Sequence, residues 1–261
     1  MSVVAETEGS SGEPTVNLPE AIPTELVITE VEEGSGEPAA AGDTVFVFYV
    51  GVLSADGTRF DGNFDGDPFP VTLGSGSVID GWEQGLIGIK AGGRRQLDIP
   101  ADLAYGDMGA GDIIKPGDAI SFVVDALAIV PAVDPADEPT VTVEPSNKVA
   151  TDVVSVDLVD GDGDEASAGS TVAVNIIAYS AATGEKLDST WGAPALTTFT
   201  LTEGGTLPGL VDGIVGMKVG GRRQLTIPFL DAFGEEGNEQ LGLPARTDLV
   251  LVVDLLASFD I

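Results

Sequence analysis

Tyr49, Phe60, Phe69, Trp82, Tyr105 and Phe122 are the side chains of this sequence with the most to offer a ligand. Together they could wall an apolar pocket, and the two tyrosines and the tryptophan would bring polar handles to it. Taken singly, each ring is equally well explained as core. The chain has no His and no Cys. Imidazole bases, Ser-His-Asp triads, thiolate nucleophiles, disulfides and Cys- or His-type metal sites are therefore excluded.

A repeat separates pocket from core. Gly92-Gly-Arg-Arg-Gln-Leu-Asp-Ile-Pro100 returns as Gly220-Gly-Arg-Arg-Gln-Leu-Thr-Ile-Pro228, which divides the 261 residues into two copies of one domain. Overlaying the copies puts Ile176 at Tyr49, Leu187 at Phe60, Leu210 at Trp82, Phe233 at Tyr105 and Leu251 at Phe122, with Phe69 meeting Thr197. An obligatory core would keep comparable bulk, as Leu97/Leu225 and Ile99/Ile227 do. The rings are instead shed almost as a unit, which favours a pocket in the first copy. The twin arginines persist in both copies and point to a structural role, pinning carboxylates or carbonyls by bidentate contacts.

The elements that must carry these residues are mostly strands. Thr44–Val52 is rich in β-branched and aromatic residues, Arg94–Ile99 alternates, and Ala119–Ile129 is apolar. Turns fall at Asp56-Gly57, Gly92-Gly93 and Pro116-Gly117. Ile79, Trp82 and Leu86 recur at helical spacing within Val78–Ile87. The second copy repeats the plan with strands at Thr171–Tyr179, Arg222–Ile227 and Leu249–Leu256 and a helix at Leu207–Ile214. Each copy is expected to be an α+β unit, an antiparallel sheet with one short helix. A flexible lead-in is expected over 1–23, the first domain over 24–130, a Pro-rich linker over 131–140 and the second domain over 141–261.

The net charge of −32 repels phosphate backbones and argues against nucleic acid; it reads as a solvated, self-repelling surface, with adaptation to high salt the weaker alternative. No apolar run reaches the ~20 residues a bilayer crossing needs. Residues 1–22 lack the basic start and apolar stretch of a signal peptide. As written the chain is expected in the cytoplasm; its Ser/Gly/Glu/Pro-rich opening also resembles the spacer behind a cleaved leader, which would make it exported or envelope-attached. Asp160-Gly-Asp-Gly-Asp-Glu165 departs from a calcium loop, with Glu165 where the turn needs Gly and Thr171 where a bidentate Glu is needed, so an acidic loop is expected.

Val47-Phe-Tyr-Val-Gly51, Arg59-Phe-Asp61, Val78-Ile-Asp-Gly-Trp-Glu-Gln-Gly85, Ala104-Tyr-Gly106 and Ile113-Ile-Lys-Pro116 resemble the FKBP-type peptidyl-prolyl cis-trans isomerases. The resemblance covers essentially all of 24–130, and 141–258 keeps mainly the frame. It implies two tandem domains, each a curved five- or six-stranded antiparallel sheet wrapped on a short helix, the second degenerate and weak or inactive. It implies Trp82 as the pocket floor, Tyr49, Phe69 and Phe122 as walls, and Val78 and Ile79 along one side. The Ile79 N–H and Tyr105 hydroxyl would hold substrate carbonyls, Phe60, Ile113 and Ile114 would line the rim, and Asp61 would sit at its edge. Many relatives place a basic residue after the Phe-Asp pair; Gly62–Asp67 offers none, so Asp61 lacks that partner.

The implied chemistry needs no cofactor, metal or nucleophile. Rotation about X–Pro faces a barrier of roughly 18–20 kcal/mol because amide resonance must be broken. The twisted transition state is less charge-separated than the planar amide, so an apolar pocket with donors on the flanking carbonyls favours it. The implied partners are proline-containing polypeptides, with rapamycin-like macrolides at the first domain only, and a monomer is expected. A non-enzymatic, chaperone-like holdase is the alternative function. A docking or dimerisation role for the second copy is a further one.

Overall fold

The computed structural model describes residues 12–146, 148–193 and 195–259. The chain divides into two compact units, one ending at Ala132 and the next beginning at Val133. The first contains β1 (Val27–Glu32), β2 (Thr44–Leu53), β3 (Arg59–Gly62), β4 (Phe69–Thr72), α1 (Asp80–Gly85), β5 (Arg94–Ile99) and β6 (Ile120–Val130). They form one antiparallel sheet in the order β1-β5-β6-β2-β3, with β4 also paired to β2. The second unit repeats this with β7 (Val154–Val159), β8 (Thr171–Ser180), β9 (Lys186–Ser189), β10 (Thr197–Thr200), α2 (Pro208–Ile214), β11 (Arg222–Ile227) and β12 (Leu249–Phe259). Each copy is thus a six-stranded antiparallel sheet with one short helix.

The repeated motif explains the frame it belongs to. Leu97 and Ile99 on β5 are fully buried and lie under α1, and Leu225 and Ile227 do the same under α2. The helix sits this close because its inner face is glycine: a Cβ on Gly85 would stand 2.8 Å from Leu97, and Gly81 meets Ile99 in the same way. Gly209 and Gly213 repeat the arrangement against Ile227 and Leu225.

The twin arginines lock the motif's strand at both faces. Arg94 grips Asp125 with two bonds of 2.5 and 2.6 Å, and Arg222 grips Asp254 at 2.6 and 2.7 Å. Arg95 pairs with Glu30 on β1 and donates to the Gly85 and Ile87 carbonyls at the end of α1. Arg223 does the same with Asp157, Gly213 and Val215. These carbonyls are among those a helix end leaves without an internal donor.

The helix is shorter than its periodicity predicts. Ile79 is already extended (ψ 149°) and Gly88 turns left-handed (φ 80°), so α1 spans only Asp80–Gly85, and Val78 and Ile87 fall outside it. The lead-in expected over 1–23 is described from residue 12 onward, and 1–11 lie outside the described residues. Residues 12–23 form no helix or strand, yet the main chain of Asn17 pairs with the Gln96 side-chain amide in both directions, at 3.1 and 2.7 Å. At the front of the second unit, Pro135–Asp137 makes one 3₁₀ turn, capped by the Asp134 carboxylate, which accepts from the Ala136 N–H.

Candidate functional site

Five rings of the first unit converge in one cluster. Trp82, from α1, is 4% exposed and packs edge-on against Tyr49 (centroids 5.0 Å, 87°) and Phe122 (5.1 Å, 82°). Phe69 closes on Tyr49 at 6.1 Å and on Trp82 at 6.5 Å, and Phe60 meets Phe122 at 5.5 Å and 89°. Edge-to-face contacts of this kind suit the ring quadrupoles and fix each ring's tilt. Tyr49 comes from β2, Phe60 from β3, Phe69 from β4 and Phe122 from β6, so four of the six strands contribute a ring.

The remaining expected residues distribute around this cluster. Val78, Ile79 and Tyr105 are partly buried against the same core. Phe69 is 42% exposed, so one wall of the cluster reaches solvent. Ile113 and Ile114, expected side by side on the rim, part company: Ile113 is exposed and Ile114 is buried in the core.

Polar contacts tune the ring set. The Tyr49 hydroxyl donates to Asp61 Oδ2 at 2.9 Å, and Asp61 Oδ1 accepts from the Gly62 N–H. Burial, followed by this bond and the charge of Asp61, pushes the Tyr49 phenol up to about 12. Burial also raises Tyr105, with a further push from Asp61. Both hydroxyls therefore stay protonated donors at neutral pH. The Trp82 indole N–H is buried without a hydrogen-bond partner among the described residues, an arrangement that costs free energy.

Two residues that carry no chemistry of their own prove necessary to the geometry. A Cβ on Gly51 would lie 2.6 Å from Phe122 and 2.8 Å from Phe60, so only glycine lets both rings cross β2. Asn63 accepts from the Tyr49 N–H and donates to the Val47 and Asp67 carbonyls, which ties the β3–β4 loop to the pocket strand.

Strand register fixes the matching positions in the second unit. Ala178 stands at Gly51, Lys186 at Arg59 and Asp188 at Asp61; Ile176 stands at Tyr49, Thr197 at Phe69 and Leu251 at Phe122. Leu210 occupies the place of Trp82 one turn into α2 and is buried. Ile176, Leu187, Leu207 and Phe233 pack against its core, so aliphatic side chains stand at most of the positions that hold rings in the first unit. Thr190 takes over from Asn63, accepting from the Ile176 N–H at 2.8 Å.

This architecture of antiparallel sheet, short helix and aromatic cluster defines a class of small α+β domains, and comparison with known proteins gives it a family. The family of FKBP-type peptidyl-prolyl cis-trans isomerases matches residues 35–127 and again 163–256. The chain belongs to that family and holds two tandem copies of its domain.

Among its relatives, an FK506-binding protein of Streptomyces anulatus is 50% identical over 109 residues, 41% of this chain and 88% of that protein. An FK506-binding protein of Neisseria meningitidis is 42% identical over 105 residues, 40% of this chain and 95% of that protein. The peptidyl-prolyl cis-trans isomerase FKBP15-2 of Arabidopsis thaliana is 48% identical over 92 residues, 35% of this chain and 56% of that protein. The three FKBP domains of wheat FKBP73 superpose with a TM-score of 0.41 at 21% identity, covering 90% of this chain and 94% of that one. The chain is an FKBP-type peptidyl-prolyl cis-trans isomerase. No helix among the described residues is long and apolar enough to cross a membrane.

Proposed function

We propose that isomerisation takes place in the aromatic hollow of the first domain and that the second domain is weak or inactive. The reading rests on one observation: the interlocked rings of Tyr49, Phe60, Phe69, Trp82 and Phe122 occur in the first copy and are replaced together in the second.

In this reading a prolyl ring sits over Trp82, between Tyr49, Phe69 and Phe122, with Val78 along one side. The dry, apolar surroundings favour the twisted amide, whose charge separation is lower than that of either planar isomer. The Ile79 N–H at the start of α1 and the Tyr105 hydroxyl hold the neighbouring carbonyls, and Asp61 fixes the tilt of Tyr49 through its hydroxyl. Phe60 and Ile113 bound the hollow, and Ile114 supports it from the core. No bond is made or broken, so no cofactor takes part.

The substrates are proline-containing segments of folding polypeptides, handled by a monomer. Binding of rapamycin-like macrolides would be confined to the first domain, in keeping with relatives named for binding FK506. The test is a proline-limited refolding assay on the full chain and on the Trp82→Leu/Tyr105→Phe variant, which copies the second domain's own residues. Loss of most of the activity is expected. Retention of full activity would move catalysis out of the first hollow.

A further inference from the structure

Each domain is preceded by a strap that the family match leaves out, and the two straps dock alike. Glu13 pairs with Arg59, the first residue of β3, through two bonds of 2.9 and 2.8 Å. Glu138 pairs with Lys186, the first residue of β9, and also accepts from the Ser189 hydroxyl. Arg59 and Lys186 occupy the same register, opposite Val52 and Tyr179. Further along, Leu18 lies 3.4 Å from the position of a Cβ on Gly57, and Pro145 lies 3.4 Å from the same point on Gly184. The first strap is fixed by Asn17 on Gln96, and the second by the Ser146 N–H on the Ala181 carbonyl at 2.8 Å. The same glutamate-to-cation clip is thus built twice, each time joining a glutamate that lies outside the matched residues 35–127 and 163–256 to a cation inside them.

What the first clip holds is the weakest wall of the hollow. Strand β3 has four residues and pairs only with β2, through three register pairs with an irregularity between Gly51 and Val52. It nevertheless carries Phe60, which sets Phe122, and Asp61, which anchors Tyr49. Arg59 has Asp61 and Asp65 as its next carboxylates once Glu13 lets go. An arginine drawn to Asp61 would compete with the Tyr49 hydroxyl for the same oxygens.

We propose that Glu13, on a strap seated by Gln96, is a positioning residue for prolyl isomerisation: it holds Arg59 at the start of β3 and away from Asp61, so that Phe60, Asp61 and Tyr49 keep their places. This rests on the assignment of catalysis to the first domain. An exposed ion pair is worth little in overall stability, so the effect is expected in the site and not in the fold.

The experiment uses the full chain and a neutral Leu-Pro peptide. Glu13→Gln should lower kcat/KM about threefold, the size of one exposed ion pair, and bring the Tyr49 phenol below its value near 12. Adding Arg59→Gln should remove the competing cation and return Tyr49 toward its parental titration. The exchanged pair Glu13→Arg/Arg59→Glu should recover kcat/KM. Glu138→Gln should leave the rate unchanged. Parental rate and Tyr49 titration in Glu13→Gln would overturn the proposal, as would an equal loss in Glu138→Gln. An inactive parent chain would instead overturn the assignment of catalysis to the first domain, and the Tyr49 titration would still report on the clip.

Discussion

The two domains share a scaffold and differ in what fills it. Both clamp a helix onto Leu-x-Ile through paired helix glycines, and both lock the strand with arginines on a facing carboxylate and on helix-end carbonyls. Inside, Tyr49, Trp82 and Phe122 become Ile176, Leu210 and Leu251, and Gly51 becomes Ala178. The last exchange is instructive. A Cβ at position 51 collides with two rings, and once those rings are leucines the glycine is no longer required. The ring positions change as a coupled set while Leu97 and Ile99 keep their counterparts, although Trp82 and Phe122 share one buried core with them.

The comparison can be tested first where the domains agree. Arg95→Leu should destabilise the first domain by about 3 kcal/mol, because helix-end carbonyls and a carboxylate lose a buried donor together, and Arg223→Leu should cost the second domain less, since its bonds are more exposed. Denaturant unfolding can follow the first domain by Trp82 in a Trp191→Phe background and the second by Trp191 in a Trp82→Phe background. A loss in one domain only would break the equivalence of the frames.

Where the domains differ, Trp82→Leu with Tyr105→Phe should cost about a hundredfold in isomerase rate, roughly 2.7 kcal/mol of transition-state stabilisation. The folded chain should persist, since the second copy already carries this pair; loss of circular dichroism would show the rings to be core. Gly51→Ala should destabilise the first domain by about 2 kcal/mol through overpacking against Phe60 and Phe122. The reverse change, Ala178→Gly, should cost the second domain well under that, and equal costs would show that the rings do not demand glycine.

The smallest effect concerns pH. The Tyr49 phenol is raised in the folded state from 10 to about 12, so folding favours its protonated form. That contribution is complete below pH 10 and disappears as the pH climbs from about 10 to 12. Absorbance at 295 nm should show a phenol titrating near pH 12 in the parent and none there in Tyr49→Phe. Its persistence in that variant would assign the late titration to Tyr105 or Tyr179.

Much of this was legible in the chain. The motif shared by 92–100 and 220–228 marks the duplicated scaffold, β5 and β11 have the bounds that their alternation predicts, and the overlaid aromatics single out a cluster that the structure brings together. Other features are not marked by alternation or composition, and the strap is marked only by the recurrence of Glu13-Pro-Thr-Val16 as Glu138-Pro-Thr-Val141. β1 and β7 are exposed edge strands with every residue open to solvent, so burial leaves no alternation on them. Glu13 and Asn17 lie in a stretch whose composition reads as disorder; their order comes from partners at 59 and 96, and no window along the chain spans that distance. The neighbouring cation of Asp61 is Arg59, two residues before it on its own strand, whereas the family pattern directs attention to the loop that follows.

The straps also bear on ancestry. Since Glu13–Arg59 and Glu138–Lys186 are counterparts, the segment that was duplicated already carried its strap, and the heritable module is longer than the family domain by some twenty residues at its front. A fragment cut at residue 35 would lose β1, the Glu30 partner of Arg95 and the strap together. Any attempt to transplant or trim either half should begin its cut upstream of the clip.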